Sequence, residues 1–134
     1  MTSSEKVVLI DARNVLRSRW PNVPGDELVQ RCADWARARG LRALVVFDGT
    51  APGGLLGEHV QDASCGTVGT GRESADDWIA RRALELARAQ TPYWLVTSDR
   101  ELRQRAGGNA ERHIGGGSFL AHIGAARGPR ASPP

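Results

Sequence analysis

The chain has 134 residues, with 40% hydrophobic and 25% charged side chains and a formal net charge of +3. This composition is typical of one globular domain and excludes a chain that is disordered throughout. Apolar runs such as Val7–Ile10 are far shorter than the ~18 residues that cross a bilayer, so no membrane span is expected. The polar N-terminus lacks the pattern of a secretory signal, which predicts a cytoplasmic protein.

The first half of the chain has the pattern of a βαβ unit. Lys6–Ile10 is a short β-branched run that predicts a buried strand, and it ends at Asp11. After a polar, proline-punctuated stretch, apolar residues at helical spacing predict a helix over Asp26–Arg39. Ala43–Phe47 then predicts a second buried strand. This order predicts parallel strands joined by a right-handed crossover.

The middle of the chain contains one weak and two strong patterns. The glycine-rich segment Gly49–Gly71 predicts loop and edge structure, with a short strand at Gly66–Val68. Ser74 is a typical helix cap, and the apolar face that follows predicts a helix to about Gln90. Tyr93–Thr97 predicts another buried strand.

The last third of the chain predicts smaller elements. A short helix is expected over Arg100–Ala106, a strand over Arg112–Ile114, and one or two helical turns over Ser118–Ile123. The Gly, Ala, Arg and Pro composition of residues 124–134 predicts a disordered tail. We therefore expect one domain over residues 6–123, preceded by a flexible segment of residues 1–5.

Acidic residues follow the predicted strands and open the long helix. Asp11, Asp48 and Asp99 each end an apolar strand, and Asp76 and Asp77 stand in the first turn of the helix. Because parallel strands end at the same edge of a sheet, these side chains are expected to meet in one crevice. Each aspartate alone is also explained as a helix cap or turn residue. Capping does not require aspartates at neighbouring strand ends together.

A carboxylate cluster of this kind indicates a divalent cation. Like charges raise one another's proton affinity, so a cluster that stays ionised near neutral pH needs a cation. Oxygen ligands without organised Cys or His favour Mg²⁺ or Mn²⁺. With no candidate covalent nucleophile, the pattern favours hydrolysis of a phosphodiester by a metal-activated water.

Other residue types narrow the chemistry. The three histidines are scattered, which disfavours a metal-free ribonuclease with paired histidines. Trp35 and Trp94 fall in elements patterned for the core, whereas Trp20 lies in a polar loop and is the candidate for base stacking. Cys32 and Cys65 form no CxxC motif and are expected to be reduced packing residues. Arginines near the acids are candidate phosphate ligands: Arg13, Arg17, Arg19, Arg72, Arg100 and Arg103.

The acidic motifs and their order resemble those of the NYN domains of the PIN-like superfamily, and most closely the YacP-like branch. The similarity extends over residues 6–123, although the family's opening Asp-Gly-Tyr-Asn is here Asp-Ala-Arg-Asn. Four segments carry it: Asp11-Ala12-Arg13-Asn14-Val15, Val45-Val46-Phe47-Asp48-Gly49, Glu73-Ser74-Ala75-Asp76-Asp77-Trp78-Ile79 and Val96-Thr97-Ser98-Asp99.

The resemblance implies a fold and an activity. The fold is a three-layer α/β/α sandwich with a mostly parallel central sheet, and the activity is metal-dependent cleavage of RNA by a water that Mg²⁺ or Mn²⁺ activates. By position, Asp11, Asp76 and Asp99 would be catalytic carboxylates that also bind metal. Asp48 and Asp77 would complete the metal ligands.

The resemblance also bears on substrate and partners. We expect Arg13, Asn14, Ser98 and Arg100 to contact the substrate, with RNA as the partner and no membrane. A homodimer or a ribosome-associated partner stays open. The alternatives are a non-catalytic RNA- or partner-binding PIN-like module, and the ribonuclease toxin of a toxin–antitoxin pair. The acid set favours an enzyme, because an acidic crevice does not help a module that only binds polyanions.

Overall fold

The computed structural model describes residues 6–131, with side chains described as far as Gly124. The predicted flexible residues 1–5 and the final residues 132–134 lie outside the described residues. The helices and strands follow in this order: β1 (Val7–Asp11), α1 (Ala12–Arg17), α2 (Gly25–Arg39), β2 (Arg42–Phe47), β3 (Gly57–Asp62), β4 (Cys65–Gly69), α3 (Ala75–Arg88), β5 (Tyr93–Val96), α4 (Arg100–Ala106), β6 (Arg112–Ile114) and α5 (Gly116–Ala131).

The strands form a six-stranded sheet in the order β3-β4-β2-β1-β5-β6. Its neighbouring strands run parallel except for the antiparallel pair β3 and β4. The central strands are short, apolar and covered on both faces, which is the usual condition for parallel pairing. The mostly parallel sheet predicted from the sequence is confirmed.

Helices cover both faces of this sheet. Along β1, Val8 and Ile10 pack in one core cluster with α1, α2 and α5, while Leu9 packs in another with α3 and α4. This alternation follows from the two-residue period of a strand. The three-layer α/β/α sandwich is therefore confirmed, and each layer of helices has its own apolar core against the sheet.

Two of the observed elements were not predicted from the sequence. Helix α1 occupies part of the stretch expected to be polar loop; Asp11 caps it by accepting the Asn14 N–H at 3.4 Å, and Val15 is buried beneath it. Strand β3 is an exposed edge strand, so it lacks the hydrophobic alternation on which strand prediction depends. The segment Gly49–Gly71 therefore contains a hairpin, of which only the second strand was expected.

The last helix, α5, is also longer than predicted. Phe119, Leu120 and Ile123 are buried in the core and fix α5 onto the sheet layer. The helical backbone continues to Ala131, beyond the expected end at Ile123. The predicted disordered tail is thus helical over residues 124–131, while its mobility and the domain bounds stay predictions.

The cysteines are packing residues, as predicted. Cys32 and Cys65 are free thiols with no exposed surface. Burial raises the pKa of Cys65 to about 12, so its thiolate is scarce at neutral pH and the thiol is unreactive. In the described part of the chain, none of the helices has the length and apolar character needed to cross a membrane.

Candidate active site

The topology places a crevice at the carboxyl ends of β1 and β5. After β1 the chain enters α1 and α2 on one face of the sheet, whereas after β5 it enters α4 on the other face. Open α/β sheets bind ligands where neighbouring connections diverge in this way. The parallel register pairs Ile10 with Val96, so Asp11 lies beside Thr97 at this edge.

An acidic cleft of about 330 Å³ opens at this edge. Four separate segments of the chain supply its aspartates, and α1 supplies two arginines. The lining residues are Asp11, Arg13, Asn14, Arg17, Asp48, Ser74, Asp76 and Asp99. The acids at the strand ends therefore meet in one crevice, as the parallel strands predicted. Their catalytic and metal-binding roles stay predictions.

Asp11 is the buried acid of the acidic cleft, with 5% of its surface exposed. Its Oδ1 accepts the Asn14 N–H, and its Oδ2 accepts the hydroxyl of Thr97 at 3.1 Å. Burial raises its pKa to about 6; the carboxylates of Asp76 and Asp48 also raise it, and the two hydrogen bonds oppose the change. Asp11 is therefore held in one orientation while its charged form is disfavoured.

Asp48 and Asp99 line the cleft and also accept hydrogen bonds from backbone N–H groups. Asp48 follows β2, and its Oδ1 accepts the Ala75 N–H at 2.9 Å, at the first turn of α3. Asp99 caps α4, and its Oδ1 accepts the N–H groups of Glu101 and Leu102 at 2.9 and 3.2 Å. Each carboxylate keeps its Oδ2 out of these bonds. Capping and convergence thus coexist, because helices begin where these strands end.

Asp76 and Asp77 diverge, although they are neighbours in the first turn of α3. Asp76 lines the acidic cleft, and its pKa is raised by burial and then by the carboxylates of Asp99 and Asp48. Asp77 is exposed and binds Arg105 Nη2 at 2.8 Å. One residue along a helix turns the side chain by about 100°. Asp77 therefore lies outside the residues lining the cleft, and its metal-binding role stays a prediction.

The four carboxylates of the cleft are of the type that binds a hard cation, but they do not form a compact set of ligands. All four acids are carboxylates, the ligand type that Mg²⁺ and Mn²⁺ prefer. Among the described residues, no three Asp, Glu, His or Cys side chains are grouped closely enough to hold one ion together. Mg²⁺ usually binds through one or two carboxylates and keeps several waters. The residues therefore fit an ion held partly through water.

Comparisons with known proteins identify the family. The sequence profile of the YacP-like NYN domain matches residues 8–127. The chain belongs to the YacP-like NYN family. No curated protein sequence matches it significantly.

Solved structures of Rae1 (YacP) from Bacillus subtilis share the fold of this NYN domain. One aligns with a TM-score of 0.67 and 22% identity, covering 94% of this chain and 79% of Rae1. A tryptophan-to-leucine variant of Rae1 aligns with a TM-score of 0.69 and 21% identity, covering 92% of this chain and 78% of the other. At this level of identity the likeness establishes the architecture.

Four residues of the NYN domain were predicted to contact the substrate, and the structure places the two arginines differently from the two polar residues. Arg13 lines the acidic cleft, and its Nη1 lies 3.9 Å from Asp48 Oδ2. Arg100 is exposed on α4 and is not among the cleft residues. Asn14 Oδ1 accepts the Ser98 N–H at 2.9 Å, and Ser98 Oγ accepts the Gly116 N–H at 2.8 Å. Both polar residues therefore join α1, the β5–α4 loop and α5.

Thr97 is the site residue that sequence reasoning missed. It is fully buried, donates its hydroxyl to Asp11 and accepts the Asp99 N–H at 3.1 Å. It thus couples two of the aspartates of the NYN domain. The available signal was its position between an apolar strand and Asp99, where a buried hydroxyl needs a partner.

Proposed function

We propose that this NYN domain is a metal-dependent endoribonuclease that hydrolyses RNA with Mg²⁺ or Mn²⁺. The observation that carries the proposal is the convergence of four aspartates from separate segments beside two exposed arginines, in one cleft of a YacP-like NYN chain. Asp11, Asp76 and Asp99 would be the catalytic carboxylates, with Asp48 as a further ligand or orienting group. Asp77 has no part in this assignment.

The charges in the acidic cleft explain why a cation is needed. A phosphodiester is an anion, so four carboxylates repel it unless part of their charge is neutralised. Arg13 and Arg17 project from α1 at the cleft and can hold a phosphate by charge-assisted hydrogen bonds. A bound divalent ion would lower the pKa of a water and stabilise charge on the phosphoryl oxygens.

The chain's own residues would orient this reaction. Asn14 N–H and the Thr97 hydroxyl hold the carboxylate of Asp11, so its position does not depend on the substrate. Asp99 is fixed through the first turn of α4, and Asp48 through the first turn of α3. Asp76, in the first turn of α3, lines the same cleft. The attacking water and the scissile phosphate would lie between the carboxylates and the arginines.

Cleavage in the presence and absence of a chelator tests the proposal. We expect single-stranded RNA to be cut internally with Mg²⁺ or Mn²⁺, to leave 5′-phosphate ends, and to stay intact in EDTA. Asp11→Asn is expected to be inactive under both conditions. Cleavage that persists in EDTA, or that leaves 2′,3′-cyclic phosphates, contradicts the assignment, because those ends arise from attack by the ribose hydroxyl rather than by water.

Thr97→Val tests the hydroxyl that joins Asp11 to Asp99. We expect cleavage to fall about 10- to 100-fold, the range seen when groups that orient metal ligands are removed. Unfolding should become easier by about 1–2 kcal/mol, since the buried carboxylate of Asp11 loses a donor. Thr97→Ser keeps the hydroxyl and should retain most of the activity. Equal losses in both variants, measured by cleavage and urea unfolding, would contradict the role given to the hydroxyl, because Thr97→Ser keeps it.

A further inference from the structure

A second cavity lies between α2, α5 and the edge strand β6. It has a volume of about 250 Å³, and among the residues that the structure describes its lining includes no acid and no residue of the acidic cleft. We call it the basic-aromatic pocket. Six of its lining residues bear on its chemistry: Trp35, Arg39, Trp94, Arg112, Phe119 and His122.

The walls of the basic-aromatic pocket are flat aromatic and guanidinium groups. The rings of Trp35 and Trp94 lie 6.3 Å apart, and Phe119 meets Trp35 edge-on at 5.0 Å. The Arg112 guanidinium lies 5.0 Å above the Trp94 ring, and that of Arg39 lies 5.8 Å from the Trp35 ring. Proteins that bind unpaired nucleobases stack them on aromatic rings and arginine planes of this kind.

The pocket also contains a polar group without a partner. Trp35 is 3% exposed, and its Nε1–H has no hydrogen-bond acceptor among the described residues. Buried indole N–H groups usually find an acceptor, and leaving one unpaired is unfavourable. The nitrogen itself has almost no exposed surface, so a ligand reaches it only if the wall of the pocket moves. The ring faces and the two guanidinium groups therefore carry the inference.

The charge at the mouth of the pocket is positive. Arg39 and Arg112 are exposed there, and the contact of Arg39 Nη2 with His122 Nε2 at 2.8 Å uses only part of its donor capacity. The neighbouring carboxylate of Glu111 binds Lys6 Nζ at 2.9 Å and is not part of the lining. The two guanidinium groups therefore offer donors for a phosphate next to the aromatic wall.

The first turn of α5 connects this pocket to the acidic cleft. Ser118 lines the pocket, and two residues earlier the Gly116 N–H binds Ser98 Oγ, beside Asn14 of the cleft. A side chain at Gly116 would collide with the Asn14 amide oxygen. The backbone here is packed closely against α1, so the first turn of α5 links the two sites through direct contacts.

We propose that the basic-aromatic pocket binds one nucleotide unit, with its base on the tryptophan–arginine stack and its phosphate on Arg39 and Arg112. This inference rests on the proposed function in one respect, since it assigns the nucleotide to the RNA strand outside the cleavage site. A free nucleotide has the same chemistry. The experiment therefore uses AMP and an oligoadenylate of about ten nucleotides as separate probes, a length that spans one protein binding site for single strands.

Binding is measured in EDTA, and the length of the oligonucleotide is checked after each titration, so that failure of the catalytic proposal does not affect the result. Both probes are expected to quench tryptophan fluorescence saturably. The double variant Arg39→Gln, Arg112→Gln should bind both at least tenfold more weakly. For the oligonucleotide, the slope of log affinity against log salt concentration should be smaller in magnitude by about 0.7–1.4 in this variant, the value for one or two phosphate contacts. The charge-matched control is the pair Arg81→Gln, Arg88→Gln, at two exposed arginines of α3 on the opposite face of the sheet.

The outcomes separate the sources of the nucleotide. No saturable quenching by either probe, or equal affinities in the double variant and the control, overturns the proposal. Weaker AMP binding with unchanged oligonucleotide affinity upholds a nucleotide pocket and overturns its place on the RNA path. Loss of affinity for both probes in the double variant alone supports the full inference.

Discussion

Asp76→Asn is expected to lower RNA cleavage by at least about 100-fold, whereas Asp77→Asn should leave it within about threefold. Asp76 lines the acidic cleft, and burial with the charges of Asp99 and Asp48 raises its pKa. Asp77 is exposed and pairs with Arg105 on the surface. Removing Asp76 deletes a carboxylate from the cleft, while removing Asp77 breaks only a solvent-exposed ion pair.

These two variants control for each other. Both change one acid to its amide in the first turn of α3, so both weaken the interaction with the helix dipole to a similar extent. Asp76→Asn also relieves the burial and repulsion that raise the pKa of Asp76, whereas Asp77→Asn loses an exposed ion pair. Urea unfolding at pH 7 should therefore show both variants folded, with Asp76→Asn the more stable. Cleavage rates measured at saturating RNA then report the cleft alone. Similar activity losses in the two variants would mean that the acids act through the helix and not through the cleft.

The position of the aspartates at the carboxyl edge of the sheet could be predicted, because this prediction depends on few assumptions. Asp11, Asp48 and Asp99 follow apolar runs, and parallel strands must end at a common edge. The structure adds that Asp11 and Asp99 also cap the helices that follow them. The capping explanation and the functional explanation therefore do not compete at these positions, since one carboxylate satisfies both.

The finer features of the site depend on geometry that the sequence pattern does not contain. Whether Asp76 or Asp77 faces the cleft is decided by the rotational phase of α3, which the apolar face of the helix fixes only approximately. Thr97 acts through a hydrogen bond to Asp11, 86 positions away in the chain. Helix α1 is six residues long and only Ala12 and Val15 in it are buried, so its periodicity carried little signal.

The basic-aromatic pocket was hidden for a different reason. Trp35 and Trp94 lie in elements patterned for the core, and the structure does bury Trp35 almost completely. Hydrophobic periodicity shows that a side chain is turned inward, but it does not show that the surrounding space is filled. Only the packing of α5 against α2 and β6 reveals the cavity and the unpaired indole N–H.

Asp11→Asn is expected to stabilise the metal-free protein at pH 7 by about 1–2 kcal/mol and to have little effect at pH 4. Burial raises the pKa of Asp11 from its ordinary 3.8 to about 6. Folding is therefore favoured by this group below pH 3.8, and that contribution is lost as the pH rises through about 6. The difference between the two pKa values corresponds to about 3 kcal/mol, part of which the amide forfeits through weaker hydrogen bonds with Asn14 and Thr97.

Urea unfolding in EDTA at both pH values measures this effect, and Asp62→Asn provides a control of opposite sign. The pKa of Asp62 is lowered, chiefly by its hydrogen bond from Arg37, so its ionised form favours folding above its ordinary pKa. Asp62→Asn should therefore destabilise the protein at pH 7. A destabilised Asp11→Asn at pH 7 would contradict the electrostatic strain inferred for the acidic cleft.

Magnesium ions should make the wild type more stable than Asp11→Asn at pH 7, the reverse of the order expected in EDTA. An ion that binds only the folded protein stabilises it by mass action. In the wild type it also offsets the repulsion that Asp11 experiences from Asp76 and Asp48. Asp11→Asn lacks this carboxylate and should gain much less from the ion. Equal stabilisation of the two proteins would place the ion elsewhere, whereas selective stabilisation of the wild type links the cost of the buried acid directly to the cation that the cleft is proposed to hold.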